Sequence, residues 1–138
     1  MTFEFERTVT TTAAPFDVWE IWSDPGTWVE WDPAVSLVEL DGPFVEGQTG
    51  TMELTGPISV PFTLEVVEEG ARFLDQLTMG DLVIRIDHLV TDGPDGGAEI
   101  TVRTTIEGPG AEDIGPIVTQ DTPVAMAALV RLAEREQE

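Results

Sequence analysis

Hydrophobic and polar residues alternate with a period of two through most of the chain, which predicts a structure built mainly from β-strands. In residues 2–12 the side chains of Phe3, Phe5, Arg7 and Val9 share one face, and acidic and threonine side chains share the other. Six further strands are predicted over residues 34–41, 48–56, 59–68, 71–79, 82–91 and 98–107. Gly, Pro and Asp residues at the junctions indicate tight turns between them.

A helical spacing of apolar residues replaces this alternation in two places. Pro15 is placed to begin a helix that ends at Asp24, and a second short helix is predicted over residues 27–31. A long helix is predicted over residues 113–137, with a break near Pro123 and Thr122 capping its second part. Strands grouped together, with a helix at the end, are typical of a single α+β domain over residues 1–138.

The best-defined hairpin turns at Gly80 and Asp81, which fixes the register of the strands on either side. Met79 then faces Leu82, and the alternation assigns the more apolar face to the interior. The inner face carries Phe73, Asp75, Leu77, Met79, Leu82, Ile84, Ile86 and His88, and the next strand adds Ala98, Ile100, Val102, Thr104 and Ile106.

Two polar residues, Asp75 and His88, lie on this otherwise apolar face at diagonal positions. We expect their side chains to meet and the carboxylate to raise the pKa of the imidazole and fix its tautomer. One interpretation is a catalytic acid–base pair or a polar anchor for a ligand. The alternative is a hydrogen-bonded structural pair, or an Asp75 that reaches solvent at the end of the sheet.

Composition excludes several kinds of chemistry. The 138 residues carry a net charge of -21, with no cysteine, no lysine, one histidine and six arginines. A thiol nucleophile, a Schiff base and a P-loop lysine are therefore excluded, and one histidine is too few for a zinc site. We expect no metal or cofactor, no nucleic acid and no membrane as partners, because the charge repels phosphates and no apolar run is long enough to span a bilayer. A cytoplasmic protein is predicted.

All four tryptophans lie within residues 19–31, a short segment interrupted by Pro25. Trp19 and Trp22 are expected in the core, whereas Trp28 and Trp31, next to loops, are candidates for lining the entrance of a cavity.

Four stretches of the sequence resemble the polyketide cyclase/dehydrase branch of the START-like, or SRPBCC, superfamily. They are APFDVWEIWSDP at 14–25, WVEWDP at 28–33, LDGPFVEG at 40–47 and PVAMAALVRLAE at 123–134. The resemblance implies a helix-grip fold: a seven-stranded antiparallel sheet wrapped around a long C-terminal helix, with two short helices between the first two strands and a hydrophobic cavity inside.

The cavity implied by this resemblance would take a lipid-like or polyketide-like molecule. Its candidate ligand-binding residues are Arg7, Trp28, Trp31, Met52, Phe73, Leu77, Met79, Ile84, Ile86, Ile100, Val102, Thr104, Ala125, Ala128 and Leu129. Arg7 would bind a carboxylate or enolate; alternatively it pairs with an acidic residue or emerges at the end of the sheet.

Three functions are open at this point. The first is binding of a hydrophobic small molecule, and the second is a polyketide cyclase or dehydratase that uses His88 and Asp75. The third is a non-catalytic interaction module whose interior is filled by its own side chains. The sequence leaves open the ligand, the oligomeric state and the pathway.

Overall fold

The computed structural model describes residues 2–55 and 58–135, which form a seven-stranded antiparallel sheet with helices packed against one face. The strands are β1 (Thr2–Thr11), β2 (Val35–Leu40), β3 (Thr49–Leu54), β4 (Ile58–Glu68), β5 (Arg72–Met79), β6 (Leu82–Asp92) and β7 (Ala98–Glu107). The helices are α1 (Pro15–Trp22), α2 (Trp28–Trp31), α3 (Ala111–Thr119) and α4 (Thr122–Arg135), with 3-10 turns at Pro25–Thr27 and Pro94–Gly96. The predicted helix-grip fold is confirmed.

The strands lie in the order β1-β7-β6-β5-β4-β3-β2, so β1 and β2 form the two edges of the sheet. The β5–β6 hairpin has the predicted register: Met79 pairs with Leu82, Asp75 with Ile86, and Phe73 with His88. Gly80 occupies the turn with φ of 60°, a left-handed conformation that glycine adopts easily because it has no Cβ. The face assigned to the interior is the buried one, and alternate residues of β7 are buried in the same way.

The break in the C-terminal helical segment lies about two residues before its expected position near Pro123. The break lies at Gln120 and Asp121, and Pro123 is in the first turn of α4, where a missing backbone N–H removes no intrahelical bond. The residue before α4 is therefore Asp121, and the prediction that Thr122 precedes and caps this helix is wrong. α3 packs on β1 and β7, and α4 packs on β1, α1 and α2.

β4 extends beyond the end of β3, and the loop between β2 and β3 covers the exposed part of its edge. The last β3–β4 pair joins Thr49 to Thr63. Beyond it the loop continues the hydrogen bonding, because Leu64 N donates to Gln48 O at 2.8 Å and Gly47 N donates to Leu64 O at 2.7 Å. This loop, residues 41–48, lies at the same end of the sheet as the tryptophan-rich segment, since Phe44 contacts Trp19 and Trp28.

Candidate functional site

The interior at this end of the sheet is filled by aromatic rings. Trp28 stacks on Phe73 with ring centroids 5.6 Å apart, and Phe73 stacks on His88 at 3.9 Å with the planes 5° apart. Trp22 packs edge-on against both Phe73 and His88. Such contacts each add about 0.5–1.5 kcal/mol beyond the area they bury. The imidazole is therefore held rigidly between aromatic side chains.

All four tryptophans are buried, and hydrogen bonds fix the segment that carries them. Trp28 Nε1 donates to Trp22 O at 2.9 Å, and Thr27 Oγ1 donates to Ile21 O and Asp24 O, each at 2.8 Å. These bonds fold the chain back between α1 and α2, so the indole rings converge on the sheet. The clustering of tryptophan in the sequence therefore reflects the packing of one end of the core.

His88 and Asp75 lie close together in this aromatic environment, as their register predicts. His88 Nδ1 is 3.3 Å from Phe73 O and 3.8 Å from Asp75 Oδ1, and both residues are more than 90% buried. A carbonyl oxygen can only accept, so the bond to Phe73 places the proton on Nδ1 and leaves Nε2 as an acceptor. At 3.8 Å the contact with Asp75 is too long for a hydrogen bond.

Burial keeps both members of this pair uncharged over a wide pH range. Desolvation raises the pKa of Asp75 to about 7, opposed by its own backbone N–H and reinforced by repulsion from Asp32. Desolvation also lowers the pKa of His88 to about 4, although the carbonyls of Phe73 and Ile86 and the charge of Asp87 act in the opposite direction. The expectation that Asp75 raises the pKa of His88 is therefore wrong, because the loss of hydration exceeds the effect of a mostly protonated neighbour.

Three buried polar atoms at this site have no hydrogen-bond partner among the described residues. They are Asp75 Oδ1, Trp22 Nε1 and Trp31 Nε1. An unpaired buried polar group costs roughly 1–3 kcal/mol, so each is available to a molecule that brings the complementary group. The site therefore offers one carboxyl oxygen and two indole N–H donors inside an apolar wall.

Asp32 is a member of this site that was not a candidate from the sequence. It follows α2, and its Oδ1 accepts a hydrogen bond from Ala34 N at 3.0 Å. Its pKa is raised mainly by burial, and repulsion from Asp121 contributes after the opposing effect of the Ala34 bond. The charges that perturb the pKa values of Asp32 and Asp75 are those of other aspartates, and no cation of the part of the chain that the structure describes contributes.

An open cleft of about 360 Å³ lies next to this interior, on the outer side of the Phe44 ring. It is lined by Trp19, Ser23, Phe44, Val45, Glu46, Val67 and Glu69. Phe44 also contacts Trp28 and Phe73, and Phe73 contacts His88. Two rings in succession, the half-buried Phe44 and then Phe73, thus lie between the cleft and His88.

None of the fifteen candidate ligand-binding residues lines this cleft. Most of them form the packed core, namely Trp28, Trp31, Met52, Phe73, Leu77, Ile84, Ile100, Val102, Thr104, Ala125 and Leu129, while Met79, Ile86 and Ala128 are half-buried. Arg7 pairs in register with Val102 but is exposed, so it does not enter the interior. Their roles in binding a ligand remain predictions.

Trp19 and Phe44 line the cleft, and neither was a candidate from the sequence. Phe44 lies in LDGPFVEG, where an aromatic residue within a Gly- and Pro-rich turn was an available signal. Residues 2–55 and 58–135 contain no cluster of three or more His, Asp or Glu side chains suited to a metal ion. Within these same residues no helix is long and apolar enough to cross a membrane.

The chain belongs to the family described as polyketide cyclase / dehydrase and lipid transport, which it matches over residues 2–135. No curated protein matches it.

Several solved structures share the fold at low sequence identity. Norcoclaurine synthase from Thalictrum flavum, in complex with dopamine and hydroxybenzaldehyde, is 18% identical with a TM-score of 0.75, and the match covers 98% of this chain and 88% of that one. Ara h 8.0201 is 16% identical with a TM-score of 0.76, covering 98% and 99%. The di-domain ARO/CYC StfQ from the steffimycin biosynthetic pathway is 13% identical with a TM-score of 0.83, covering 99% of this chain and 52% of that one.

Proposed function

We propose that this chain binds a hydrophobic small molecule, lipid-like or polyketide-like and without negative charge, at the aromatic end of the sheet. The observation that carries the proposal is the set of unpartnered polar atoms within a buried aromatic wall, Asp75 Oδ1 and the indole nitrogens of Trp22 and Trp31. A ligand with hydroxyl or carbonyl groups would satisfy them while its rings or chain contact the aromatic side chains. Membership of a family that includes lipid transport and polyketide chemistry supports the same class of ligand.

The acidic surroundings of the site favour a ligand without negative charge. Among the described residues no cation perturbs the pKa of the buried Asp75 or the half-buried Asp32, and Arg7 is exposed. A carboxylate or phosphate brought into this site would lose its hydration without gaining a cation among the described residues as a partner. Neutral ligands are therefore favoured over anionic ones of the same shape.

Two molecules of matched shape, 2-naphthol and 2-naphthoate, test this function by their quenching of tryptophan fluorescence at pH 7. We expect saturable binding of 2-naphthol and an affinity for 2-naphthoate at least about tenfold lower, equivalent to roughly 1.4 kcal/mol. If 2-naphthol and a panel of larger neutral polyketide-like and lipid molecules all fail to bind, the binding function is contradicted. The chain would then be better described as an interaction module with an interior filled by its own side chains.

The His88–Asp75 geometry also favours a second function, catalysis of a cyclisation or dehydration. Between about pH 4 and pH 7 Asp75 holds a proton that it can donate, and Nε2 of the neutral His88 can accept one. In a dehydration, His88 would remove the proton next to a carbonyl while Asp75 protonates the departing hydroxyl, and water is released. Asp75 can act as the acid and His88 as the base because burial raises the pKa of the carboxyl and lowers the pKa of the imidazole.

His88→Gln separates binding from catalysis, because glutamine keeps a polar side chain of similar reach but cannot act as a base at neutral pH. If the chain is an enzyme, the variant loses turnover of a β-hydroxy-ketone substrate by about 100-fold or more while binding 2-naphthol as the wild type does. Unchanged turnover would remove His88 from the mechanism.

A further inference from the structure

The loop between β2 and β3 is anchored at both ends but only lightly in its middle. Asp41 N donates to Thr49 O at 3.0 Å, and Gly47 and Gln48 are bonded to Leu64 as part of the sheet edge. Between these anchors lie residues 42–46, which include Phe44 and Glu46. Segments of this kind, joined to the fold at two fixed points, can move without disturbing the elements they connect.

The Phe44 ring is the main contact of this segment with the core. Its centroid lies 5.4 Å from that of Phe73, 5.9 Å from Trp19 and 6.4 Å from Trp28. Its other side lines the open cleft, and the side chain is only half-buried. Displacement of this one ring would expose Trp28 and Phe73 to the cleft and leave Phe73 as the ring in front of His88.

Glu46 makes the second contact of the segment. Its Oε1 accepts a hydrogen bond from Val67 N at 3.2 Å. That N–H lies on the part of the β4 edge beyond the end of β3, where no strand is present to accept it. Since Glu46 is exposed, water can replace this bond when the segment moves.

We infer that residues 42–46 form a gate, in which the Phe44 ring closes the passage from the cleft to the Trp28 and Phe73 rings in front of His88 and the Glu46–Val67 hydrogen bond holds it closed. This inference rests on the proposed binding function and specifies the route that a ligand takes. The interior is packed while the gate is closed, so a ligand enters only when Phe44 swings out and its own rings replace that contact. Both entry and release are then limited by the opening of this segment.

Stopped-flow measurements with N-phenyl-1-naphthylamine, a neutral fluorescent probe, test the gate. We expect Phe44→Ala to raise both the association and the dissociation rates by about tenfold, because the variant lacks the ring whose burial keeps the passage closed. Glu46→Ala should raise both rates by a smaller factor, whereas Glu46→Gln, which can still accept from Val67 N, should behave as the wild type does. Phe16→Ala is the matched control, since it removes the same side chain from an exposed position on α1.

The outcomes of this experiment distinguish the gate from the binding function on which it rests. Equal rates in the wild type, Phe44→Ala and Glu46→Ala, with binding intact, would overturn the gate and leave the binding function standing. Absence of binding by the wild type and by every variant would overturn both. If circular dichroism shows that Phe44→Ala is unfolded, Phe44→Leu and the Glu46 pair decide the question, with faster exchange supporting the gate and wild-type rates rejecting it.

Discussion

Asp75 and His88 differ from an ordinary ion pair because each is held in its uncharged form. Their side chains have lost their hydration without gaining a short hydrogen bond to each other, since the nearest atoms are 3.8 Å apart. Burial therefore dominates both pKa values and shifts them towards the neutral species. This is the state required of an acid and a base that act together near neutral pH.

The two shifts make opposite contributions to the pH dependence of stability. The pKa of Asp75 is about 7 in the folded protein against its ordinary 3.8. Its contribution to the free energy of unfolding is therefore greatest at low pH and declines as pH rises through that range. His88 has a folded pKa of about 4 against 6.5, so its contribution is greatest at high pH and declines as pH falls through that range. In the wild type these trends largely cancel.

Substitution of one partner should therefore reveal the trend of the other. Relative to the wild type, Asp75→Asn should gain free energy of unfolding as pH rises from 4 to 7, by up to about 1 kcal/mol per pH unit. His88→Gln should gain relative stability as pH falls from 6.5 to 4. Urea unfolding at a series of pH values measures both differences, and any effect of the many surface carboxyls cancels in the comparison.

The double variant Asp75→Asn/His88→Gln is the control for these measurements. Its stability should follow the pH profile of the wild type in parallel, since both opposing contributions are absent. Parallel profiles for all four proteins would mean that the two side chains titrate normally and are hydrated in the folded state.

The sequence predicted where these two residues lie but not their ionisation. The turn at Gly80 and the alternation of side chains determine that Asp75 and His88 share one face, and this needs only local information. Their pKa values depend on how completely the helices exclude water. They also depend on Asp32, which comes from a distant segment and reaches the site only through tertiary packing.

At the scale of the elements, the strands were predicted to within two residues because alternation and turn residues agree at each junction. β5 and β6, for example, were expected over residues 71–79 and 82–91 and run over Arg72–Met79 and Leu82–Asp92. The position of the break in the C-terminal helix was less accurate. A proline is compatible with the first turn of a helix, so its presence alone does not say on which side the break lies.

Gly115 shows how closely one of these helices packs against the sheet. It is buried on α3 beneath the Phe3 ring of β1, and a Cβ at this position would overlap the near end of that ring. Since the backbone of Phe3 is held by its pairing with Ile106, the ring has little freedom to move away. Glycine is therefore required at position 115 by packing against Phe3 and not by its backbone conformation.

Gly115→Ala should lower the free energy of unfolding by about 1–2 kcal/mol. Overpacking costs about 2–3 kcal/mol here, the upper part of its usual range, because the added Cβ would meet three atoms of the Phe3 ring at once, and this outweighs the gain of roughly 1 kcal/mol from the higher helix propensity of alanine. Gly26→Ala is the matched control, because the nearest atom to its added Cβ is Asp24 Oδ1 at an ordinary 3.4 Å. A Gly115→Ala variant as stable as the wild type in urea unfolding would show that α3 is not packed this closely on β1.

At the scale of the whole molecule, three of the six arginines lie on the outer face of the sheet, and each is paired with a carboxylate. Arg72 contacts Asp87 at 2.8 Å, Arg85 contacts Glu65 at 2.9 Å, and Arg103 contacts Glu6 at 2.5 Å. These exposed or half-buried pairs contribute little to stability individually. They do place three of the six arginines away from the interior, and no cation of the described residues perturbs the pKa of Asp32 or Asp75.

The overall charge of -21 also disfavours anionic ligands, since it repels anions from every side of the molecule.

The architecture and the inner face could be predicted from the sequence, because they follow from periodicity and from a resemblance spread over the chain. The cleft and the position of Phe44 could not, because they depend on how the loop between β2 and β3 packs against the tryptophan-rich segment and Phe73.

If the interior beside His88 and Asp75 binds a neutral hydrophobic molecule, the protein should carry such a molecule when it is isolated from its natural surroundings. The most direct measurement is native mass spectrometry of the protein purified from its own host, followed by extraction and identification of whatever is bound. We expect a stoichiometric mass increase from an uncharged, oxygen-bearing hydrophobic molecule, which Asp75→Asn retains less well than the wild type. A protein that is recovered empty and also ignores the panel of neutral ligands, or that carries an anionic molecule, would contradict it.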